Sequence, residues 1–549
     1  MRRPLPFGPR NIVADTTFPE GADWEAILSP TSANPDSRMN LATVREEHLK
    51  EACGMRLTSG LRGSRRCSFF GKAALIGAAA VLAHTSVVAQ GAGNPPNILF
   101  INADDLGWGD AGFMGSTYYD TPNIDRLAAQ GMRFMDAYAP AANCAPSRAV
   151  VYTGQYGPRH GIYTVGSSER RRAVWRRLIP TPNTEFITED HVTFVSLLNE
   201  AGYATWHFGK WHLSEDPTRH GFDVNIGGFE GGHPSAGYFS PYDNPKLEDG
   251  PEGEHLTFRL TDEAIRHLED HDPERPFFLS MQFYIPHTPI QAKEELIERY
   301  EHRIPTATHF NPVYAAMVDH MDVNVGRLLD TLDELGMAEN TFVLFTSDNG
   351  GIYNISRLWP LRGEKGSYYE GGIRVPMVVR WPGQVAPRGV SEEPVSGVDF
   401  FPTFIEVAGI EAPEDHVLDG LSLVPLLREE EALPERPLFW HFPVYLQRYG
   451  QGNVETRDPL FRTRPGMVMR YGRWKLHEYF EDGGLELYDL EKDLGERLNL
   501  AEILPDKTEE LHGMMKDWRE ETGAPVPTEP NPRFDKTEER EAIQRFYRR

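Results

Sequence analysis

Residues 97–105 read Asn-Ile-Leu-Phe-Ile-Asn-Ala-Asp-Asp, an apolar run of strand length that ends in the carboxylates Asp104 and Asp105. A strand needs no such ending, and three further runs repeat it. Residues 203–207 lead into Gly209-Lys210-Trp211-His212, residues 276–283 into Tyr284-Ile-Pro-His287, and residues 341–346 into Ser347-Asp348-Asn349-Gly350. Helical patterns lie between them at 121–131, 193–202, 261–270 and 312–336. Strands alternating with helices predict an α/β fold: a large, mostly parallel sheet sandwiched by helices. In such a sheet the carboxyl ends of the parallel strands share one edge, where ligands bind. Asp104, Asp105, Lys210, His212, His287, Asp348 and Asn349 are therefore expected to converge.

Taken singly, each has a plainer explanation. Asp and Asn after a strand serve turns and caps, His packs and Lys is solvated. Four strand ends carrying such groups together point instead to a site. Three acids and an Asn amide oxygen form a hard, oxygen-rich set suited to Ca²⁺ or Mg²⁺, whereas zinc would call for more His or Cys. Gly107 and Gly109 are expected to allow the backbone turn that lets both Asp104 and Asp105 reach one ion.

The 549 residues carry a formal charge of −25, which excludes nucleic acid as a natural partner. Arg56, Arg62, Arg65, Arg66 and Lys72 precede an apolar run at 73–83, and Val87-Val88-Ala89 suits a cleavage site. That pattern predicts a signal peptide at 55–89 and an exported, periplasmic or secreted protein, with residues 1–54 a non-native extension. The run is well short of the roughly 20 residues a membrane-spanning helix needs, and no integral membrane segment is expected after cleavage. Cys53 and Cys67 fall in the part removed, so Cys144 remains without a disulfide partner.

Cys144 opens the stretch 144–154, CAPSRAVVYTG. Pro146 suits the first turn of a helix and Gly154 its end. The cysteine then sits where free N–H groups and the dipole attract anions, with Arg148 one turn on. On generic grounds a low-pKa thiol is expected there.

Cys-x-Pro-Ser-Arg followed by Thr-Gly resembles the signature of the type I, formylglycine-dependent sulfatases of the alkaline-phosphatase-like superfamily, in particular secreted bacterial polysaccharide and arylsulfatase-type members. Val151 stands where the signature usually has Leu. The resemblance spans about residues 95–524 and implies that a formylglycine-generating or sulfatase-maturating enzyme oxidises Cys144 to formylglycine. It implies that Asp104, Asp105, Asp348 and Asn349 hold Ca²⁺, or Mg²⁺, together with residue 144. Arg148, Lys210 and Lys365, the last in RGEKGSYYEGG, would hold and neutralise the sulfate oxygens. One oxygen of the hydrated aldehyde would attack sulfur, with His287, aided by Lys365, protonating the departing alcohol. The second oxygen would let sulfate leave as the aldehyde re-forms, with His212 as base.

The catalytic domain is expected at 95–430. Strand patterns at 437–442, 467–471, 474–478 and 485–489 and a helix at 507–522 then mark a smaller domain at 431–524, followed by a charged tail at 525–549. The resemblance implies that this domain is the smaller C-terminal one of sulfatases, an antiparallel sheet with a helix. For substrate binding the candidates are Arg170 and Arg172, within the cluster Arg170, Arg171, Arg172, Arg176 and Arg177, together with His160, His233, Trp359 and Arg362. The expected activity is release of sulfate from a sulfated carbohydrate, acting at chain ends. The rivals are an arylsulfatase, a phosphonate or phosphate monoester hydrolase on the same scaffold, and a sulfated-glycan binding protein with a dead centre. The last predicts a missing nucleophile or ligand, and the sequence carries all of them.

Overall fold

The computed structural model describes residues 95–448, 455–457 and 459–548. The expected extension at 1–54 and signal peptide at 55–89 lie outside the described residues. The main sheet has eight strands: β1 (Asn97–Ala103), β2 (Met132–Phe134), β3 (Ala204–Gly209), β4 (Val224–Ile226), β5 (Phe277–Gln282), β6 (Thr341–Ser347), β7 (Met377–Arg380) and β8 (Gly389–Ser391). Their order across the sheet is β4-β3-β5-β1-β6-β7-β2-β8. β7 runs antiparallel to both of its neighbours, and the other pairings are parallel.

Residues 98–101 of β1 are all apolar because both faces of the strand are covered. Leu99, Ile101 and Ala103 join a core with α1 (Pro122–Gln130), α4 (Leu256–Glu269) and α5 (Pro312–Glu334). Ile98 and Phe100 face the opposite core, with α2 (Cys144–Thr153), α3 (Phe194–Glu200) and α6 (Phe400–Val407). There Phe100 meets Phe400 and Phe404 at ring-centroid distances of 5.9 and 5.5 Å. Two polar caps explain where helices begin. Asn311 accepts from the amides of Val313 and Tyr314, which starts α5. His255 accepts from the Thr257 amide, so α4 starts five residues before the Thr261 at which the sequence pattern placed it. Thr261 instead lies inside the helix and donates its hydroxyl to the Thr257 carbonyl.

A second, four-stranded antiparallel sheet comprises β9 (Pro437–Phe442), β10 (Gly466–Tyr471), β11 (Trp474–Tyr479) and β12 (Gly484–Asp489). Phe439, Met467, Met469, Leu476 and Leu487 pack against Leu511, Met515 and Trp518 of α7 (Pro505–Thr522). Leu438, Trp440 and Val468 pack against Tyr138, Tyr368 and Ile373. Residues 536–547, expected from the sequence to belong to a charged tail, form the helix α8 (Lys536–Tyr547). Its Ala542 is buried with Trp175, Tyr445 and Phe461. Among the described residues no helix is long and apolar enough to cross a membrane.

Candidate active site

The ends of β1, β3, β5 and β6 meet beneath the N-terminus of α2. Backbone hydrogen bonds join one strand end to the next: Asp104 N to Ile285 O, Asp348 N to Ala103 O and Lys210 N to Gln282 O, at 3.2, 3.0 and 2.8 Å. The turn after β1 is made by Asp105 itself, with φ of 70°, a conformation that Asp tolerates better than most side chains. Gly107 and Gly109 do not supply the turn, contrary to the expectation. Gly107 is needed for space, because a Cβ there would lie 2.7 Å from Asp110 Oδ2.

All ten residues of α2 are buried, and Gly154 ends the helix in the left-handed region. Cys144 is 2% exposed. Its Sγ lies 3.0 Å from Lys365 Nζ and 3.5 Å from Asp104 Oδ1. Lys210 Nζ is 2.7 Å from Asp104 Oδ2 and 3.9 Å from Asp348 Oδ2, and Lys365 Nζ is 2.6 Å from Asp105 Oδ1. Arg148 donates from Nε to Asp348 Oδ2 at 3.0 Å and from Nη1 to the Lys210 carbonyl and Gln282 Oε1. Its Nη2 is buried with no hydrogen-bond partner among the described residues. His287 Nδ1 sits 2.6 Å from the Thr288 carbonyl, which can only accept, so Nδ1 carries a proton and Nε2 is the nitrogen 3.7 Å from Asp105 Oδ2. His212 packs against Gly232, where a Cβ would come within 2.4 Å of the ring.

Three carboxylates, Asp104, Asp105 and Asp348, thus face three cations, Arg148, Lys210 and Lys365. Burial alone would raise the Asp104 carboxyl, but Lys210, His287, Lys365 and Arg148 outweigh it and hold the group below the usual carboxylate range. Asp348 goes the other way, raised by burial and by the neighbouring Asp104 charge. Burial lowers both histidines, and Lys210 and Arg148 push His212 further down. Burial pushes the Cys144 thiol up to about 12, and Lys210 and Lys365 offset this only in part. The low-pKa thiol expected at a helix N-terminus is therefore not present: dehydration of the thiolate outweighs the dipole.

Asp104, Asp105, Cys144 and His287 offer ligand atoms that all lie within 4.8 Å of one another. Asp105 Oδ2 and Asn349 Oδ1 are buried without a hydrogen-bond partner among the described residues. Asn349 Nδ2 donates to Asp105 Oδ1 and to the Gly350 carbonyl, which fixes the amide. Two acceptor oxygens left without a donor among buried carboxylates suit a hard divalent cation, and the residues present fit one.

Two residues of this centre escaped the sequence reading. Gln282 and Asn102 are buried side chains at the ends of β5 and β1, and Gln282 Oε1 accepts from both Asn102 Nδ2 and Arg148 Nη1, each at 3.0 Å. The available signal was an amide at the end of an apolar run. Arg462, beyond the main sheet, donates to the Lys365 carbonyl at 2.7 Å.

The candidate substrate contacts divide. His160 is buried, and its Nδ1 accepts from the Ile162 amide. Arg362 is turned toward Tyr488 Oη and the Glu496 carbonyl and lies over the Tyr369 ring, so it is not brought to the centre. Within the arginine cluster, Arg170 donates to the Val165 carbonyl, Arg176 pairs with Glu169, and Arg172 and Arg177 pair with Glu538 and Glu539 of α8. His233 is exposed next to the Gly232 that touches His212, and Trp359 is 71% exposed.

The Sulfatase family model matches residues 96–410, and that of N-sulphoglucosamine sulphohydrolase, C-terminal, matches residues 363–521. A Sulfatase of Formosa agariphila is 33% identical over 522 residues, covering 80% of this chain and 92% of that protein. The N-acetylgalactosamine-6-sulfatase of Mus musculus is 33% identical over 393 residues, covering 66% of this chain and 71% of that protein. The solved structure of Ps i-CgsB in complex with k-i-k-neocarrahexaose shares 29% identity and a TM-score of 0.64, covering 82% of this chain and 98% of the other.

Proposed function

Because the chain belongs to the sulfatase family, with the alkaline-phosphatase-like fold, and is a sulfuric ester hydrolase, we propose that it releases inorganic sulfate from a sulfated carbohydrate by way of a formylglycine made from Cys144. The observation that carries this reading is the state of the cysteine. A thiol whose pKa burial pushes up to about 12, shut away beside Lys365 and Asp104, is a poor nucleophile in its own right, yet it occupies the anion-attracting end of α2. It is best explained as a precursor, converted by a formylglycine-generating or sulfatase-maturating enzyme. Formylglycine, once formed, supplies an oxygen nucleophile in place of the thiol.

Asp104, Asp105, Asp348 and Asn349, with residue 144, would hold the metal, calcium in our reading and magnesium as the alternative, which supplies positive charge beside the sulfate oxygens. Arg148 Nη2, Lys210 and Lys365 hold and neutralise those oxygens, and preorganised cations act where charge develops in the transition state. His287 would act in its imidazolium form, which the Asp104 and Asp105 charges favour, giving the Nε2 proton to the departing alcohol while Nδ1 keeps its own, and His212 takes one up when sulfate is released. Burial of Cys144, Lys210 and Lys365, each at most 5% exposed, suits a chain end better than a chain interior, which supports exo action. The carbohydrate class is supported by the N-acetylgalactosamine-6-sulfatase relative and by the neocarrahexaose-bound structure. The signal pattern at 55–89 supports export to the periplasm or beyond.

The test is sulfate release by calcium-loaded protein, coproduced with a formylglycine-generating enzyme, across defined sulfated oligosaccharides, aryl sulfates, and phosphate and phosphonate esters. Sulfate release from one sugar class, absent in Cys144→Ser, is the expected result. Turnover of aryl sulfates, phosphates or phosphonates alone would overturn the carbohydrate assignment.

A further inference from the structure

Asn349 and Lys365, two residues of the centre, are joined by a single loop, residues 350–364. The loop closes at its base, where Lys365 N donates to the Gly351 carbonyl at 2.9 Å. Its interior is packed: Ser356, Leu358, Leu361 and Glu364 are all at most 6% exposed. Ser356 Oγ donates to Asp110 Oδ1 at 2.6 Å, and Leu358 fills the space beside Gly107, so close that a Cβ on Gly107 would lie 2.8 Å from it. Closed ends and a filled interior mark a rigid surface loop of the kind that often carries function. On this anchored loop Trp359 is turned outward, and of the nine described tryptophans it alone is exposed.

Leaving an indole in water forfeits the gain from burying a large apolar ring, and here the neighbouring Leu358 and Leu361 take the interior positions instead. Flexibility does not account for this, since the residues on both sides are fixed. We propose that Trp359 is a platform for a sugar ring next to the one that bears the reacting sulfate, and that the substrate is therefore an oligosaccharide or polysaccharide rather than a free sulfated monosaccharide. A flat apolar face held in place matches the C–H face of a pyranose ring and costs little further ordering on binding. This inference rests on the carbohydrate sulfatase reading and adds the length of the substrate to it.

The experiment compares kcat/KM for a sulfated monosaccharide and for oligosaccharides carrying that same residue at their end, in the calcium-loaded, converted wild type, Trp359→Ala and Trp359→Phe. The expected result is a ratio of oligosaccharide to monosaccharide kcat/KM that falls about tenfold in Trp359→Ala, through KM, and returns to within about threefold of wild type in Trp359→Phe. An unchanged ratio overturns the platform, whether or not overall activity falls, because a merely structural role of the loop lowers both substrates together. A wild type that releases no sulfate from any glycan would instead overturn the carbohydrate reading itself.

Discussion

Lys210→Met tests the balance of charge on which the centre is built. Lys210 Nζ is fully buried, 2.7 Å from Asp104 Oδ2 and 3.9 Å from Asp348 Oδ2, and both acids are buried as well. Methionine matches the stem but removes the charge, leaving Asp104, Asp105 and Asp348 to share Arg148 and Lys365. Removing one partner of a buried pair costs about 3–5 kcal/mol, because the other charge is left uncompensated. Set against a typical stability of about 5–15 kcal/mol, that is a large share. The assay is urea unfolding in chelator and again at saturating calcium, read as a shift of midpoint at unchanged slope. Calcium bound as proposed would return positive charge to the same carboxylates, so the penalty should shrink when it is present. A loss under about 1 kcal/mol in chelator, or one that grows with calcium, would refute the view that three cations and three carboxylates hold the centre together. Under the proposed mechanism kcat should also fall about 10²–10³-fold, as for loss of a preorganised charge.

Three further outcomes are expected. Burial and the nearby His191 lower the His160 pKa from 6.5 to about 3. The unfolded chain therefore binds a proton that the fold refuses, and stability falls as pH drops from about 6.5 toward 3, by up to about 1.4 kcal/mol per pH unit. His160→Gln should flatten that acid limb in unfolding measured at pH 7 and 4.5, and an unchanged slope would count against it. Gln282→Leu should cost about 1–3 kcal/mol for each buried donor it strands and lower kcat severalfold by loosening Arg148; unaltered kinetics would remove Gln282 from the positioning of that arginine. Truncation after Thr528 removes α8, and with it the buried Glu539 that pairs with Arg177 and Arg464. A loss of about 2 kcal/mol in thermal or urea unfolding is expected, and an unmoved midpoint would make α8 dispensable.

What was legible in the sequence was the chemistry carried by contiguous runs. Asp104, Lys210, His287 and Asp348 each follow an apolar strand, so periodicity located them and parallel topology brought them together. What escaped depends on neighbours far along the chain. Gln282 matters only because Arg148 and Asn102 reach it across 134 and 180 residues. Residues 536–547 look like a charged tail until Glu539 is seen between Arg177 and Arg464. The thiol of Cys144 is governed by the burial of α2, which the motif itself does not reveal, and Asp105 takes a turn that composition assigned to glycine.

The hydrogen bond between Gly351 and Lys365 separates two jobs that the chain places side by side. With that bond closing the base and Ser356, Leu358 and Leu361 filling the interior, the exposed positions of the loop, Asn354, Arg357 and Trp359, can change without disturbing the reacting groups. If Trp359 is the sugar platform proposed above, substrate preference can be rewritten at a few outward positions while the hydrolytic apparatus is kept intact. Exchanging only Asn354, Arg357 and Trp359 for the residues of a relative, with Ser356, Leu358 and Leu361 kept, is then a direct way to alter the outward face on an unaltered centre.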